Sequence, residues 1–127
     1  MTASARGAVA QQEFVLSALY RNWRVYTPVQ SHAVDYVIDR GNGLERVQVK
    51  RGFVRTKRGK RYLEVELRSR TGRHLHYHPD DFDTLAVWRA ETNRWWLIPW
   101  GKCPVTTMSI PLTASRVSKY DRWKVER

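Results

Sequence analysis

Acidic side chains are scarce in this sequence: 12 Asp and Glu stand against 23 Lys and Arg in 127 residues, for a formal net charge of +11. Cysteine is scarcer still. Cys103 is the only one, which excludes an intramolecular disulfide and a cysteine-based zinc site and agrees with a reducing, cytoplasmic setting. Long apolar runs are missing, since no stretch nears the roughly 18 residues that a membrane span requires. The opening MTASARGAVAQQ lacks the apolar core and cleavage signature of a secretory signal. There is no Gly-rich phosphate loop, and no Ser, His and Asp or Cys and His set at an interpretable spacing. With no repeat, low-complexity tract or linker, residues 1–127 read as one domain, long enough for a core of its own.

What is abundant is positive charge, and it is concentrated. Residues 51–73 hold Arg51, Arg55, Lys57, Arg58, Lys60, Arg61, Arg68, Arg70 and Arg73 against Glu64 and Glu66 alone. Such clustering is the electrostatic footprint of a polyanion-binding face, where Lys and Arg displace condensed counterions. A basic surface kept for solubility has less reason to be local. Nucleic acid is therefore the expected partner, and the basic loop VRTKRGKR, residues 54–61, is the expected backbone clamp, or a flexible charged turn at the tip of a hairpin, or both at once.

Hydrophobic periodicity predicts a helix over 5–22, with Ala10, Phe14 and Ala18 four apart and Leu16, Leu19 and Tyr20 widening the buried stripe. A short strand, Trp23 to Tyr26, is ended by Pro28. A hairpin around Asn42-Gly43 follows, then strands near 61–68 and 73–77. HPDDFD reads as a turn opening a short helical piece. A second hairpin, 85–90 with 94–100, turns at Thr92-Asn93, and a last strand is expected over 106–112. The order predicts an α/β (α+β) domain in which one mixed sheet is flanked by the N-terminal helix.

The first hairpin carries the chemistry. With Asn42-Gly43 as a type I′ turn, Gly41 pairs with Leu44 and Asp35 lies opposite Lys50, with Gln48 as its diagonal neighbour. Alternation groups Asp35, Val37 and Asp39 with Arg46, Gln48 and Lys50, and leaves Val34, Tyr36, Ile38, Val47 and Val49 for the core. One reading is an amphipathic hairpin with its polar face in water, Asp35–Lys50 and Asp39–Arg46 pairs contributing at most about 1 kcal/mol each. The other is a metal site. Asp35 supplies a hard anionic oxygen to Mg²⁺, Gln48 a neutral one and the Val49 carbonyl a third. Lys50 then stands beside the attacking water and the phosphate.

Asp35, a spacer and then Gln48-Val49-Lys50 resembles the D-(X)n-(E/Q)-X-K signature of the PD-(D/E)XK nuclease superfamily. The Gln variant, VQVK here, resembles the branch of group I intron-associated homing endonucleases. The resemblance runs over roughly residues 5–100: an opening helix, a strand ending in Pro, basic residues after the Lys, and the late segment YHPDDFDTLAVWRAETNRWWLIPW. It implies a restriction-endonuclease-like core and hydrolysis of DNA to 5′-phosphate and 3′-hydroxyl ends, with Mg²⁺ or Mn²⁺ as cofactor. It also implies a bacterial or phage-infected cell. Two positions depart from the pattern. Val34 stands where Pro commonly precedes the Asp, and Gln11 stands where many relatives carry a helix Glu. Glu13 is two residues further on, a rotation of about 200°, and so cannot take that place. Gln11 is thus a candidate for orienting a metal-bound water, and Asp35 is the only anionic ligand expected.

Other features compete. His74, His76 and His78 alternate along one strand face, a spacing better suited to phosphate contact than to closing three imidazoles around a metal. Trp88, Trp95, Trp96 and Trp100 read as core or interface, and alternation predicts that Trp95 or Trp96 is covered by a partner chain. Cutting a duplex with one-site subunits also calls for a homo-oligomer, a dimer or tetramer. The rival functions are a structure-selective enzyme such as a Holliday junction resolvase and a catalytically inactive DNA-binding module on the same fold.

Overall fold

The computed structural model describes residues 1–30, 33–67, 77–102, 107–112 and 121–124. Helix α1 (Ala3–Tyr20) is capped at its start by Thr2, whose hydroxyl accepts the Ala5 N–H at 3.1 Å. It stops at Asn22, which adopts φ +62° while its N–H bonds Leu19 O and that of Trp23 bonds Ala18 O. This left-handed exit satisfies the last carbonyls of the helix. Ala10, Phe14, Ser17 and Ala18 form its buried face. Leu16, Leu19 and Tyr20 do not join them and remain exposed. Leu16 is six residues from Ala10, which on a helix turns it to the far side.

The strands are β1 (Arg24–Tyr26), β2 (Tyr36–Asp39), β3 (Leu44–Arg51), β4 (Phe53–Lys57), β5 (Lys60–Glu66), β6 (Thr84–Arg89), β7 (Arg94–Pro99), β8 (Thr107–Pro111) and β9 (Asp121–Lys124). They make two sheets rather than the one expected. The larger has the order β1-β2-β3-β6-β7-β9 and the smaller β4-β5-β8. Only the β3–β6 pair is parallel; all the other pairs are antiparallel. The "basic loop" is thus a hairpin, β4 and β5 joined by Arg58-Gly59, both at positive φ (+53° and +75°), as a two-residue turn demands. No short helix follows His78. His78 N–H instead donates to Asp81 Oδ2 at 2.7 Å, and Asp81 N–H to His78 O. The expected strand at 73–77 lies, apart from Tyr77, outside the described residues, as do His74 and His76.

Each face of the larger sheet is covered from within the chain. On one, α1 packs Ala10 and Phe14 against Ile38, Val47, Val49, Ala86, Trp88, Trp95 and Leu97. On the other, the smaller sheet packs Leu63, Val65, Met108 and Ile110 against Leu85, Val87, Trp96 and Ile98. Trp95 and Trp96 do point to opposite faces, yet both are buried here (0% and 1% exposed), so neither needs a partner chain to cover it. The chain passes between the sheets at Gly52. A Cβ there would stand 2.5 Å from Leu63 Cγ, so no larger residue fits without displacing that core side chain.

Candidate active site

The first hairpin differs from expectation in register. Asp39 pairs with Leu44, Val37 with Arg46 and Tyr36 with Val47, leaving a four-residue loop, 40–43. Gly41 and Gly43, not Asn42, take positive φ (+108° and +107°). Asp39 Oδ1 accepts the Gly41 N–H at 2.8 Å, and Arg40 forms a two-pronged pair with Glu45 at 3.0 Å. The Asp39–Arg46 pair is therefore absent; Arg46 binds Asp83 instead, at 3.1 Å. That pairing holds the Asp83 carboxyl below its ordinary range, through the Arg46 hydrogen bond above all. The slip is by two residues, so the grouping of side chains on faces survives it within the paired strands; Val34, which precedes β2, packs instead with the cluster of Leu63, Leu85 and Trp96, away from Tyr36 and Ile38.

Where β2 begins, at Tyr36, β3 still has four residues to run. Its edge from Gln48 to Arg51 has no antiparallel neighbour among the described residues, and the backbone groups of Val49 face that gap. Asp35 occupies it. Its own N–H donates to Val47 O at 2.8 Å, and its Oδ2 accepts the Val49 N–H at 2.8 Å. Gln11 Nε2, reaching from α1, donates to Oδ1 at 3.3 Å. The carboxylate is thus held from two elements, α1 and β3. Burial pushes its pKa above the ordinary value, against the lowering pull of the Val49 N–H and the Lys50 charge.

Gln48 is buried, 8% exposed, and its Nε2 lies 3.5 Å from the Val49 carbonyl oxygen. Rotating that amide by half a turn brings Oε1 to the place of Nε2, beside Val49 O. Lys50 stands over the Tyr77 ring, its Nζ 5.3 Å from the centroid. Gln48 and Lys50 flank Val49 on the face shared with Leu85 and Val87, which the smaller sheet partly covers. The "polar face in water" reading therefore fails for Gln48, whereas it holds at Arg46, which is exposed.

Gln11, Gln48, Val49 and Lys50 line a cleft of about 1070 Å³ whose walls also include Arg6 and Arg51. Asp35 is not itself a lining residue and reaches the cleft wall through its bonds to Gln11 and Val49. Small residues on α1 (Ala3, Ser4, Gly7, Ala8 and Ala10) keep it wide. Of the expected DNA-binding residues, Arg51 and Arg55 line the cleft, whereas Lys57, Arg58, Lys60 and Arg61 lie exposed along the hairpin beyond it. Sequence reasoning missed Arg6, Phe53, Glu64 and Glu66 as cleft residues. The run of small residues around Gly7 is the signal for the helix wall.

Among the described residues no group of three or more His, Cys, Asp or Glu side chains could hold a metal ion. A cation here would rest on one carboxylate and neutral oxygens: Asp35, the Gln48 amide and the Val49 carbonyl. All are hard donors, which suits Mg²⁺ and Mn²⁺ better than a thiophilic ion.

Comparison with known proteins agrees with this architecture. The family profile described as PD-(D/E)XK endonuclease matches residues 1–126. Among solved structures the fold is similar to that of the bacterial homing endonuclease I-Ssp6803I, with a TM-score of 0.70 and 24% identity over 91% of this chain and 82% of that one. No curated protein matches the sequence.

Proposed function

This chain belongs to the PD-(D/E)XK endonuclease family, and we propose that it is a divalent-metal-dependent DNA endonuclease of the homing-enzyme type, acting as a single domain with Asp35, Gln48 and Lys50 at its reacting centre. The observation that carries this reading is the Asp35 carboxylate held by the Val49 N–H at the open edge of β3, next to the Val49 carbonyl and the Gln48 amide. Mg²⁺ or Mn²⁺, when bound there, supplies an electrophile and makes a neighbouring water acidic near neutral pH.

The chain's own groups do the rest. Asp35 gives the site its one negative charge, so affinity for the cation is low until a phosphate adds another. Gln11 holds the outer oxygen of Asp35 and so keeps the inner one on β3. Lys50, braced by Tyr77, donates to the scissile phosphate and to the water aligned opposite the leaving oxygen. The bond from phosphorus to the 3′ oxygen breaks, the new bond is to the water oxygen, and the products are a 5′-phosphate and a 3′-hydroxyl. Cutting both strands takes two such centres, so the active species is a homo-oligomer.

Supercoiled plasmid and branched DNA, incubated with Mg²⁺ or Mn²⁺, test this. Wild-type protein should nick or linearise plasmid, and Asp35→Ala and Lys50→Ala should each lower the rate by about 100-fold or more. Preference for a four-way junction over plasmid would replace the homing-type reading with a resolvase. Equal trace activity in all three proteins, with DNA binding intact, would leave a binding module.

A further inference from the structure

A row of aromatic rings and guanidinium groups runs from the core into the cleft. Phe14 meets Trp95 edge-on, with centroids 5.4 Å apart, and Trp95 stacks on Trp88 at 6.0 Å. The Arg51 guanidinium lies 5.8 Å from the Trp88 ring and 5.0 Å from that of Phe53, and Arg55 lies 5.8 Å from Phe53 on its other flank in the sequence. Trp88 is itself anchored, donating its indole N–H to Asn93 at 3.0 Å.

Arg51 differs from Arg40, Arg46 and Arg55. Arg40 and Arg46 each bind a carboxylate in a fork, to Glu45 and Asp83. Arg55 shares Glu64 with Lys57. Arg51 has no ion pair among the described residues, and its Nε is buried without a hydrogen-bond partner. A buried charged donor left unmet is costly unless a ligand supplies the acceptor. A guanidinium set against two ring faces keeps its in-plane N–H groups to offer, and these match the oxygens of a phosphate. The group sits one residue after Lys50, on the wall of the same cleft.

We propose that Arg51, held against the rings of Trp88 and Phe53, is a phosphate fork that fixes the register of the DNA strand entering the Lys50 site, with Phe53 as its positioning residue. This rests on the DNA-cleaving reading above. The ring of Phe53, 38% exposed, is already engaged by two guanidinium groups, so it serves the arginines rather than an unpaired base. Arg55 extends the row to the neighbouring stretch of backbone, where the phosphate competes with Glu64 for it.

The test has two independent readouts: binding of a short labelled duplex of arbitrary sequence across a salt series without divalent metal, and plasmid nicking with Mg²⁺. Arg51→Ala should reduce the slope of log K against log[salt] by about 0.9, the value of one phosphate. Arg51→Lys and Phe53→Leu keep every charge and should leave the slope alone, yet slow nicking by about 10- to 100-fold through misplacement of the strand. Phe53→Tyr restores the ring and should restore the rate, which a merely destabilised fold would not do. An unchanged slope for Arg51→Ala overturns the fork. Wild-type nicking rates in both Arg51→Lys and Phe53→Leu overturn the positioning role while leaving the endonuclease reading intact. If the wild type binds and never cuts, that reading fails and the slope alone judges Arg51.

Discussion

Asp35 is the residue on which chemistry and stability pull in opposite directions. Its folded pKa lies above the unfolded value of about 3.9. Between those two values the folded chain holds a proton that the unfolded chain has lost, so stability falls as pH rises through that window and stays lower at neutral pH. Asp35→Asn removes the buried charge and keeps an oxygen for the Val49 N–H, while Gln11 can turn its amide to meet the new one. In the presence of a chelator, Asp35→Asn should therefore raise the thermal midpoint at pH 7, a gain that shrinks to nothing below about pH 4, and it should abolish nicking. A lower midpoint at pH 7, followed by circular dichroism, would show that the carboxylate stabilises the fold. The sequence made Asp35, Gln48 and Lys50 legible because their spacing is a chemical pattern. It could not show that their face is half covered, since that depends on where residues 53–66 and 107–111 fold back. Nor could it show Arg6 or Phe53 in the cleft, because both come from elements whose orientation is set by packing.

At the scale of elements, α1 holds a polar group its environment does not use. Ser17 is fully buried and its hydroxyl has no hydrogen-bond partner. Alanine both removes the unmet group and is the better helix former, so Ser17→Ala should stabilise the protein by about 1 kcal/mol, read as a higher urea midpoint with an unchanged m-value. The opposite case is Asp83. It accepts the Arg46 backbone N–H at 2.8 Å and the guanidinium at 3.1 Å, while its own N–H bonds Arg46 O. Through these bonds it fixes the start of β6 to β3 at the level where the active-site strand begins. Half the pair is exposed, so screening limits its worth, and Asp83→Ala should cost about 1 kcal/mol, more of it at low salt. Both hairpins were legible from Asn-Gly and Thr-Asn turns between apolar runs. The register of the first was not, because Arg40–Glu45 and the Asp39 contact with Gly41 favour a longer loop than the two-residue turn the dipeptide suggests. Alternation protects the inference about faces from an even slip and from nothing else.

For the whole molecule the question is how a charge of +11 is divided between holding DNA and cutting it. The sequence places the excess in residues 51–73, of which 68–73 lie outside the described residues, and reads 54–61 as one clamp at a charged turn. Folding splits it: Arg51 and Arg55 face the cleft, and the β4–β5 hairpin carries the remainder outward. On that hairpin Lys57 is partly neutralised by Glu64 at 3.3 Å, whereas Arg58, Lys60 and Arg61 have no ion pair among the described residues. Lys57 thus has a partner to give up when phosphate arrives, and the other three do not. Their release of counterions should therefore be the larger share of non-specific binding. Replacing Arg58 and Lys60 together by alanine should reduce the salt slope by about 2, while Lys57→Ala reduces it by less than 1. Nicking at limiting protein should fall in the Arg58/Lys60 variant by the same factor as affinity, because the hairpin tip delivers DNA without touching the reacting phosphate. A loss of rate well beyond the loss of affinity would bring the tip to the scissile bond and join the two halves of the basic segment into one site.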